Sequence, residues 1–377
     1  MLGGLKVVDL STIVFGPYAT QILADFGAEV TKVEAPGGDF YRYAQKPAKT
    51  PGMSPGFIAL NRSKNSVVLD LKQPKDAERL RELVREADMF VHNIRAEAIE
   101  RLGFGYEAVK ALRPDIIYLH CVGFGSGGRY AGRQAYDDVI QAASGAASLL
   151  PRADGNPAPR YLPSLIADKV AGLHAAYAAM AAVIHRFRTG EGQFVEVPMF
   201  ESFTGFMLKE HMAGMTFDPP TGARVYARQV DPDRQPFATA DGHISIVPYR
   251  LEHFPKVIGL MGDPEFAAQE RFAEPQGIIA AGPELYAKIA ELAETRRTTE
   301  WLALFEEAQI PAMAVVDIEQ VGFDPHLDDV EFIIDSEHPS EGTVRQMREP
   351  STFSGWKPTP PGHAPLLGED APRSQGD

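Results

Sequence analysis

The residue best placed to do chemistry in this sequence is Asp168, which begins a long alanine-rich stretch that runs to Ile184. Small side chains at almost every position of this stretch predict a helix with no wide polar face, buried against neighbouring backbone. At the start of a helix, unpaired N–H groups and the positive end of the helix dipole stabilise a negative charge. Asp168 is therefore either a helix cap or a reactive carboxylate. The segments around it are needed to distinguish these two roles.

The elements that would hold Asp168 alternate between strands and helices along the first half of the chain. Short apolar runs predict strands at 5–10, 30–34, 66–71, 89–92, 116–119 and 194–199. Helices are predicted at 17–26, at 74–87, around 106–112 and from 137 to about 149, together with the alanine-rich helix, which ends at Gly190. Such alternation predicts an α/β fold with a doubly wound, mostly parallel sheet.

The chain changes in composition after about residue 213, and the segment 218–222 (Asp-Pro-Pro-Thr-Gly) is typical of a linker. Helices near 250–261, 283–294 and 299–308 and a strand at 312–316 then predict a smaller α+β unit. We therefore expect a large domain at 1–213, a small domain at 222–317 and a C-terminal segment at 318–377. Within it, the tail that contains Pro358, Pro360, Pro361 and Pro365 is expected to be extended.

Composition limits the class of protein. A formal net charge of -14 excludes bulk binding to nucleic acid, which needs a basic surface. No apolar run approaches the ~18 to 20 residues that span a bilayer, and the N-terminus lacks a signal-peptide pattern, so we expect a cytoplasmic protein with no membrane partner. The single cysteine, Cys121, excludes an internal disulfide and a cysteine-based metal cluster, and no metal is expected.

Basic side chains nevertheless cluster beside the predicted strand ends of the N-terminal half. They are Arg42, Arg62, Lys64, Lys72, Lys75, Arg95 and Arg101. Each alone is expected to be a solvated surface charge, but their placement favours a phosphate-bearing ligand. Glu34 ends the second strand, where an acidic residue can bind the ribose of a dinucleotide. The turn after the first strand holds one glycine and the bulky Ile13, Val14 and Phe15, so G-x-G-x-x-G is absent and NAD is not expected.

Several motifs occur together and in a fixed order within the first 200 residues. They are 5–11 (Leu-Lys-Val-Val-Asp-Leu-Ser), Gly16-Pro17, 23–34, 61–72, Asn93-Ile94-Arg95, 101–106, Gly123-Phe124-Gly125, and the run from Asp168 through 186–193 to Val197-Pro198-Met199. This series closely resembles the class III CoA transferases, the family that contains the formyl-CoA and carnitine CoA transferases. The segment 364–369 (Ala-Pro-Leu-Leu-Gly-Glu) is similar to the usual ending of that family.

The resemblance implies both an architecture and an activity. A Rossmann-like large domain would bind CoA, a smaller α+β domain would follow it, and two chains would interlock as a homodimer with the C-terminal segment returning to the large domain. The substrates would be an acyl-CoA and a carboxylic acid, so that the CoA thioester is a substrate and no cofactor is needed. Asp168 would be the nucleophile, forming a mixed anhydride and then an aspartyl-CoA thioester.

The resemblance also implies a set of CoA-binding residues. Carried over position by position, they are Val14, Phe15, Ala35, Leu69, Lys72, Asn93, Ile94, Arg95, Arg101, Tyr136, Asp137 and Met199. Lys72 and Arg101 would meet phosphates, and Ile94 would offer an apolar face to adenine. The sequence departs from the family at Ala35, where some relatives carry a basic residue, and at 247–253, where the family's glycine-rich lid is not recognisable.

Two other functions stay open. The same fold includes α-methylacyl-CoA racemases, which move an α-proton with a histidine and an aspartate. Their Gly-His-Asp segment would fall at Ala135-Tyr136-Asp137, where a tyrosine replaces the histidine. A non-catalytic CoA-binding protein is the second alternative, and it would need no residue such as Asp168.

Overall fold

The computed structural model describes residues 1–46 and 49–370, so 371–377, the end of the predicted C-terminal segment, lies outside the described residues. Contacts between residues divide the chain into two compact units. The first unit comprises 1–147, 161–209 and the described residues from 325 onward, and the second comprises 148–160 and 210–324.

The first unit is built around a six-stranded parallel sheet. Up to residue 211 the elements of the chain are β1 (Lys6–Asp9), α1 (Phe15–Asp25), β2 (Glu29–Glu34), α2 (Pro55–Asn61), β3 (Lys64–Val68), α3 (Pro74–Glu86), β4 (Met89–His92), α4 (Ala96–Arg101), α5 (Tyr106–Leu112), β5 (Ile117–Val122), α6 (Asp137–Ala143), α7 (Leu149–Asp154), α8 (Ile166–Thr189), β6 (Gln193–Pro198) and α9 (Met199–His211). The strand order is β3-β2-β1-β4-β5-β6, and each neighbouring pair is parallel. The predicted α/β class with a parallel sheet is confirmed.

Successive residues of the central strands face opposite layers of the fold. Val7 and Met89 belong to the apolar cluster that contains α1 and α8, whereas Val8 and Phe90 belong to the cluster that contains α3 and α5. Because side chains alternate across a strand, both faces of the sheet are covered. This burial explains the nearly continuous apolar runs from which these strands could be predicted.

Helices α1 and α8 pack closely because small residues line their contact. A Cβ on Gly172 would lie 2.8 Å from Cδ1 of Tyr18 and 3.1 Å from the carbonyl oxygen of Phe15. The prediction that α8 is buried is correct for this face only. Its opposite face exposes Leu173, Tyr177, Ile184 and Phe187, and Phe187 is 82% exposed.

The helix predicted from 137 to about 149 is shorter than expected. Helix α6 ends at Ala143, and Gly145 then adopts a φ of +85°, in the left-handed region that favours glycine. The chain resumes as a 3-10 turn at Ala146–Ser148 and then as α7. The glycine therefore coincides with the early end of the predicted helix.

The second unit has its own sheet and core. Its further elements are β7 (Phe237–Ala238), β8 (His243–Ile246), α10 (His253–Met261), α11 (Pro264–Ala267), α12 (Pro275–Ala280), α13 (Gly282–Ala293), α14 (Thr298–Glu307) and β9 (Ala312–Ala314). The strands form an antiparallel sheet in the order β7-β8-β9. Trp301 and Phe305 are fully buried in its core.

The end of the chain packs in the first unit. It contains α15 (Pro325–Asp329) and an unpredicted antiparallel hairpin of β10 (Ile333–His338) and β11 (Gly342–Met347). Beyond the hairpin the chain runs along the outer strand β3: the N–H of Gly368 donates to Oγ of Ser66 (3.0 Å), and the N–H of Ser66 donates to Oδ2 of Asp370 (2.8 Å). A turn at 367–370 thus lies against Ser66 of a strand at the edge of the sheet.

Among the described residues, no helix is both long enough and apolar enough to cross a lipid bilayer.

Candidate active site

The predicted CoA-binding residues lie along one edge of the parallel sheet. Val14 and Phe15 follow β1, Ala35 follows β2, Leu69 and Lys72 follow β3, Asn93, Ile94 and Arg95 follow β4, Tyr136 and Asp137 follow β5, and Met199 follows β6, while Arg101 ends α4. In parallel strands the carboxyl ends meet at the same edge, which is where open α/β sheets bind their ligands. Motifs scattered over almost 190 residues therefore belong to a single edge of the fold.

Asp168 is the third residue of α8 and is only 8% exposed. Burial raises the pKa of Asp168 to about 7; the nearby carboxylate of Asp137 adds to this rise, and a backbone hydrogen bond from Phe15 opposes it. A buried carboxyl group with a raised pKa is more basic, and hence more reactive once ionised, than a carboxylate in water. Asp168 is thus partly protonated near neutral pH.

Capping of α8 is done by Asp137 and not by Asp168. Oδ2 of Asp137 accepts hydrogen bonds from the backbone N–H groups of Ala167 (2.7 Å) and Asp168 (3.1 Å). The N-cap residue of α8 is Leu165, whose side chain cannot accept a hydrogen bond. The Asp168 carboxylate is therefore not needed to cap its own helix. Since α6 supplies the cap from 31 residues earlier in the chain, local sequence spacing could not reveal it.

The start of α1 points at Asp168. Phe15 is the first residue of α1, and the N-cap residue Val14 provides no side-chain hydrogen bond. The backbone N–H of Phe15 donates to the Asp168 carboxylate. Unpaired N–H groups and the positive helix dipole at this end favour negative charge on whatever oxygen lies there.

Tyr41 is a neighbour of Asp168 that the sequence did not predict. It lies in a 3-10 turn, Phe40–Tyr43, and burial together with the charges of Asp168 and Asp39 raises the pKa of Tyr41. A Cβ on Gly56 would come within 2.6 Å of the Tyr41 ring, so only glycine leaves room for the ring there. No motif around Tyr41 distinguishes it from an ordinary loop tyrosine.

The loop after β1 is held in a strained conformation. Ile13 has a φ of +73°, which is unusual for a β-branched residue. Its backbone N–H donates to both carboxylate oxygens of Asp39 (3.0 and 3.2 Å), and the fully buried Lys32 pairs with Asp39 (2.9 Å). Strain of this kind persists only where surrounding contacts fix it, and it is concentrated at functional sites. Here it sets the backbone immediately before Val14 and Phe15.

Three of the clustered basic residues are buried and paired, so the expectation that each is a solvated surface charge is wrong for them. The pairs are Arg42–Glu34 (2.7 Å), Arg62–Asp25 (2.6 Å) and Lys64–Asp9 (3.2 Å). Glu34 also accepts hydrogen bonds from the backbone N–H of Asp39 and the hydroxyl of Ser66. Its carboxylate is consequently occupied and is not free to bind a ribose.

The remaining basic residues, Lys72, Lys75, Arg95 and Arg101, are exposed and form no ion pair with any of the residues described. Arg95 lines a cavity of about 560 Å³ together with Ile94 and Tyr136, among others, a volume typical of small-molecule sites. Asn93 also lines it, but its side-chain amide is bonded to the backbone of Thr12 and ties the loops after β1 and β4 together. Of these four basic residues only Arg95 lines the cavity, and an unpaired cation there suits a phosphate-bearing ligand.

Several predicted site residues have buried side chains. Val14, Phe15, Leu69 and Met199 are all at most 8% exposed. Any contact of these four residues with a ligand would have to use their backbone, whereas the side chain of Tyr136 is exposed. Ala35 is exposed and contributes no charge.

Residues 2–371 match the profile of CoA-transferase family III. The chain belongs to this family. The CoA-transferase is 32% identical to the succinyl-CoA:mesaconate CoA-transferase of Haloarcula hispanica, over 98% of this chain and 94% of the relative. It is 30% identical to the succinate–glutarate CoA-transferase of Agrobacterium fabrum, over 94% and 89% of the two chains.

The solved structures agree with the sequence comparison. A CAIB/BAIF family protein from Brucella suis superposes on the CoA-transferase with a TM-score of 0.84 and 30% identity, covering 98% of this chain and 96% of the other. Similarity over nearly the whole length means that both units of this CoA-transferase, and not only the parallel sheet, are those of the family.

Proposed function

We propose that this enzyme transfers CoA from an acyl-CoA to a free carboxylic acid, with Asp168 as the covalent nucleophile. The observation that carries the proposal is the state of Asp168: a buried carboxylate at a helix start, relieved of capping by Asp137 and facing the uncapped start of α1. A purely structural aspartate would use its oxygens for capping or for an ion pair. Among the described residues, Asp168 forms no ion pair and does not cap its own helix, α8.

Each half of the reaction exchanges one thioester for another. An oxygen of Asp168 attacks the acyl-CoA carbonyl, the C–S bond breaks, and the products are a mixed anhydride and CoA thiolate. The thiolate attacks the aspartyl carbonyl, releasing the donor acid as a carboxylate and leaving an aspartyl-CoA thioester. The acceptor carboxylate attacks this thioester, which is the second step in reverse and gives a new mixed anhydride and CoA thiolate. The thiolate then attacks the acyl carbonyl of the anhydride, which releases the new acyl-CoA and restores the Asp168 carboxylate. No net proton is consumed.

Negative charge moves onto a carbonyl oxygen at every step. The N–H of Phe15 and the dipole of α1 lie where they can stabilise that charge without rearranging. The strained loop at Ile13, fixed by Asp39, holds this helix start in position. This arrangement is consistent with acyl transfer. It gives no support to a racemase, which needs a second acid–base group where Tyr136 stands.

The large unit is proposed to bind CoA at the carboxyl edge of the sheet. The proposal of a Rossmann-like domain is supported by the strand order and by the parallel pairing of all six strands. The exposed side chains of Lys72, Arg95 and Arg101 would take the phosphates, and Ile94 the adenine. Burial limits Val14, Phe15, Leu69 and Met199 to backbone contacts and shape.

We propose short dicarboxylic acids as the substrate class, because two similar enzymes are named for succinate, mesaconate and glutarate. The test is to incubate the enzyme with succinyl-CoA and a panel of monocarboxylic and dicarboxylic acids and to identify new thioesters by mass spectrometry. We expect a new acyl-CoA from at least one dicarboxylic acid, formed as fast as the donor disappears. Hydrolysis alone, or no new thioester with any acid, would reject transfer between carboxylates.

Donor and acceptor specificity should respond to different residues. Arg101→Ala is expected to weaken binding of the CoA donor by ~1–3 kcal/mol if the arginine pairs with a phosphate. Arg250→Ala, in the loop at 247–253 that departs from the family pattern, is expected to change the Michaelis constant of the acceptor instead. Steady-state kinetics with both substrates varied measures the two effects, and each variant is the control for the other. Equal effects of both variants on donor and acceptor would contradict this division.

An interlocked homodimer is proposed as the working assembly. In its support, the exposed apolar residues of α8, Leu173, Tyr177, Ile184 and Phe187, recur at spacings of 3, 4 and 7 on one side of the helix. We expect light scattering at micromolar concentration to give twice the mass of the 41.2 kDa chain. A stable monomer would contradict the assembly.

A further inference from the structure

The side chain of Asp137 occupies a central place beside the nucleophile. Asp137 is 3% exposed. Its Oδ2 accepts the N–H groups of Ala167 and Asp168, and its Oδ1 accepts a hydrogen bond of 2.6 Å from Nε2 of Gln141. Both oxygens face donors, and an ionised carboxylate accepts such bonds better than a neutral acid. The Asp137 carboxylate is therefore fixed by donors on both of its oxygens.

Gln141 extends this arrangement to the segment before α8. Its Oε1 accepts the N–H of Leu162 (2.8 Å), and its Nε2 also reaches the carbonyl oxygens of Leu162 (3.3 Å) and Ser164 (3.2 Å). Asp137 and Gln141 stand four residues apart on α6 and so lie on one face of that helix. Through these contacts α6 fixes both the approach to α8 and its first turn.

The charged and polar groups that act on the Asp168 carboxylate come from three elements packed around it. Asp137 belongs to α6, the N–H of Phe15 belongs to α1, and Tyr41 belongs to the 3-10 turn. On α8 itself, the ammonium group of Lys169 donates to Oγ of Ser164 (2.7 Å). Among the described residues, the unbalanced charge that acts on Asp168 is therefore the negative charge of Asp137.

We propose that Asp137 is a positioning residue for the covalent step, which fixes the first turn of α8 and holds a negative charge against Asp168. The inference rests on the proposed function, in which Asp168 is the nucleophile. Two nearby carboxylates repel each other while both are ionised. When Asp168 becomes an anhydride or a thioester it is neutral, and the repulsion disappears. Asp137 thus makes the free carboxylate more reactive and favours the acylated state.

The raised pKa of Asp168 agrees with this arrangement, since Asp137 is the second cause of the rise after burial. The sign of the pH effect follows. The nucleophile must be ionised, so kcat/KM rises with pH through the pKa of Asp168 in the free enzyme. Removing the charge of Asp137 lowers that pKa and moves the rise to lower pH.

The test is the pH profile of Asp137→Asn, in which the side-chain oxygen can still accept the N–H groups of Ala167 and Asp168. We expect the midpoint of the acid limb of kcat/KM to fall by about half to one pH unit. Above the midpoint, kcat is expected to fall about three- to tenfold, because the less basic carboxylate is a weaker nucleophile. The matched control is Asp138→Asn, which removes the same charge from the exposed neighbouring residue and is expected to keep the wild-type profile.

A substrate-free measurement separates this inference from the transfer reaction. Infrared difference spectra of the free enzyme should contain a protonated-carboxyl band that is lost in Asp168→Ala, and its titration midpoint should be lower in Asp137→Asn than in wild type. If the wild type shows this band and Asp137→Asn lowers its midpoint, but no transfer is found, the proposed function fails while the coupling of the two carboxylates stands.

Two results would overturn the role given to Asp137. One is an unchanged midpoint in Asp137→Asn, whatever happens to the rate, since a cap that acts only on the fold does not alter the titration of Asp168. The other comes from Asp137→Glu, which retains the charge. This variant also replaces Asp137→Asn as the test if thermal melting shows that the asparagine variant folds poorly. Its midpoint should stay at the wild-type value while kcat falls because the first turn of α8 is displaced, and a lowered midpoint would contradict the proposal.

Discussion

Replacing Asp168 by alanine is expected to lower CoA transfer by at least about 1,000-fold, because the residue provides the covalent path itself. The side chain is not the cap of α8, and Asp137 continues to accept the N–H groups of Ala167 and residue 168 in the variant. The fold should therefore survive. Initial rates with saturating donor and acceptor, together with circular dichroism and the melting temperature, measure both parts of the expectation.

The control for this variant is Asp138→Ala, which removes a carboxylate from an exposed position two residues after Tyr136. It should retain nearly the wild-type rate. A folded Asp168→Ala enzyme that keeps more than a few per cent of the activity would reject Asp168 as the nucleophile. In that case the transfer would have to use another nucleophile or occur by direct exchange between the two substrates.

A second large effect is expected on stability. Asp168→Asn should raise the free energy of unfolding at pH 8 by up to about 4 kcal/mol, because about three pKa units separate the folded value near 7 from the model value of 3.8. Between these two pH values the folded wild type binds a proton that the unfolded chain has released. The free energy of unfolding of the wild type therefore falls as the pH rises from about 4 to 7. Asparagine keeps an acceptor for the N–H of Phe15 and has no charge to bury.

Urea unfolding of the two proteins at pH 5 and pH 8 measures this difference. The gain from Asp168→Asn should be large at pH 8 and should shrink at pH 5, where the wild-type carboxyl is mostly protonated. A gain that is the same at both pH values would mean that the charge of Asp168 is not the cause. The comparison would show directly that the enzyme gives up stability to hold a reactive group, which is common at active sites.

The parallel sheet and the position of Asp168 could be predicted because both are written in local patterns. Strands such as β4 are short, continuous apolar runs, and α8 is marked by alanine spacing and by Gly190 at its end, where φ is +78°. The motifs after these strands are adjacent in space because parallel strands end at the same edge. Order along the chain was thus enough to place the candidate CoA-binding residues at one edge of the sheet.

The environment of Asp168 could not be predicted, because it is made by contacts between distant residues. Asp137 was assigned to CoA binding, but its side chain is fully occupied in capping α8 and holding Gln141. Tyr41 lies near Asp168 because of the conformation of the loop after β2, which no sequence motif predicts. Arg42 was predicted to be a surface charge, but it is buried and forms an ion pair with Glu34. Spacing along the sequence carries no information about which buried charges meet.

The most direct measurement is to trap the covalent intermediate. The enzyme is mixed with donor acyl-CoA without acceptor, quenched in acid, digested, and analysed by mass spectrometry. The account predicts that the peptide containing Asp168 gains the mass of CoA through a thioester, that hydroxylamine removes it, and that Asp138→Ala shows the same adduct. Transfer by a fully active enzyme with no adduct on Asp168 at any time, or with the adduct on another residue, would contradict the account.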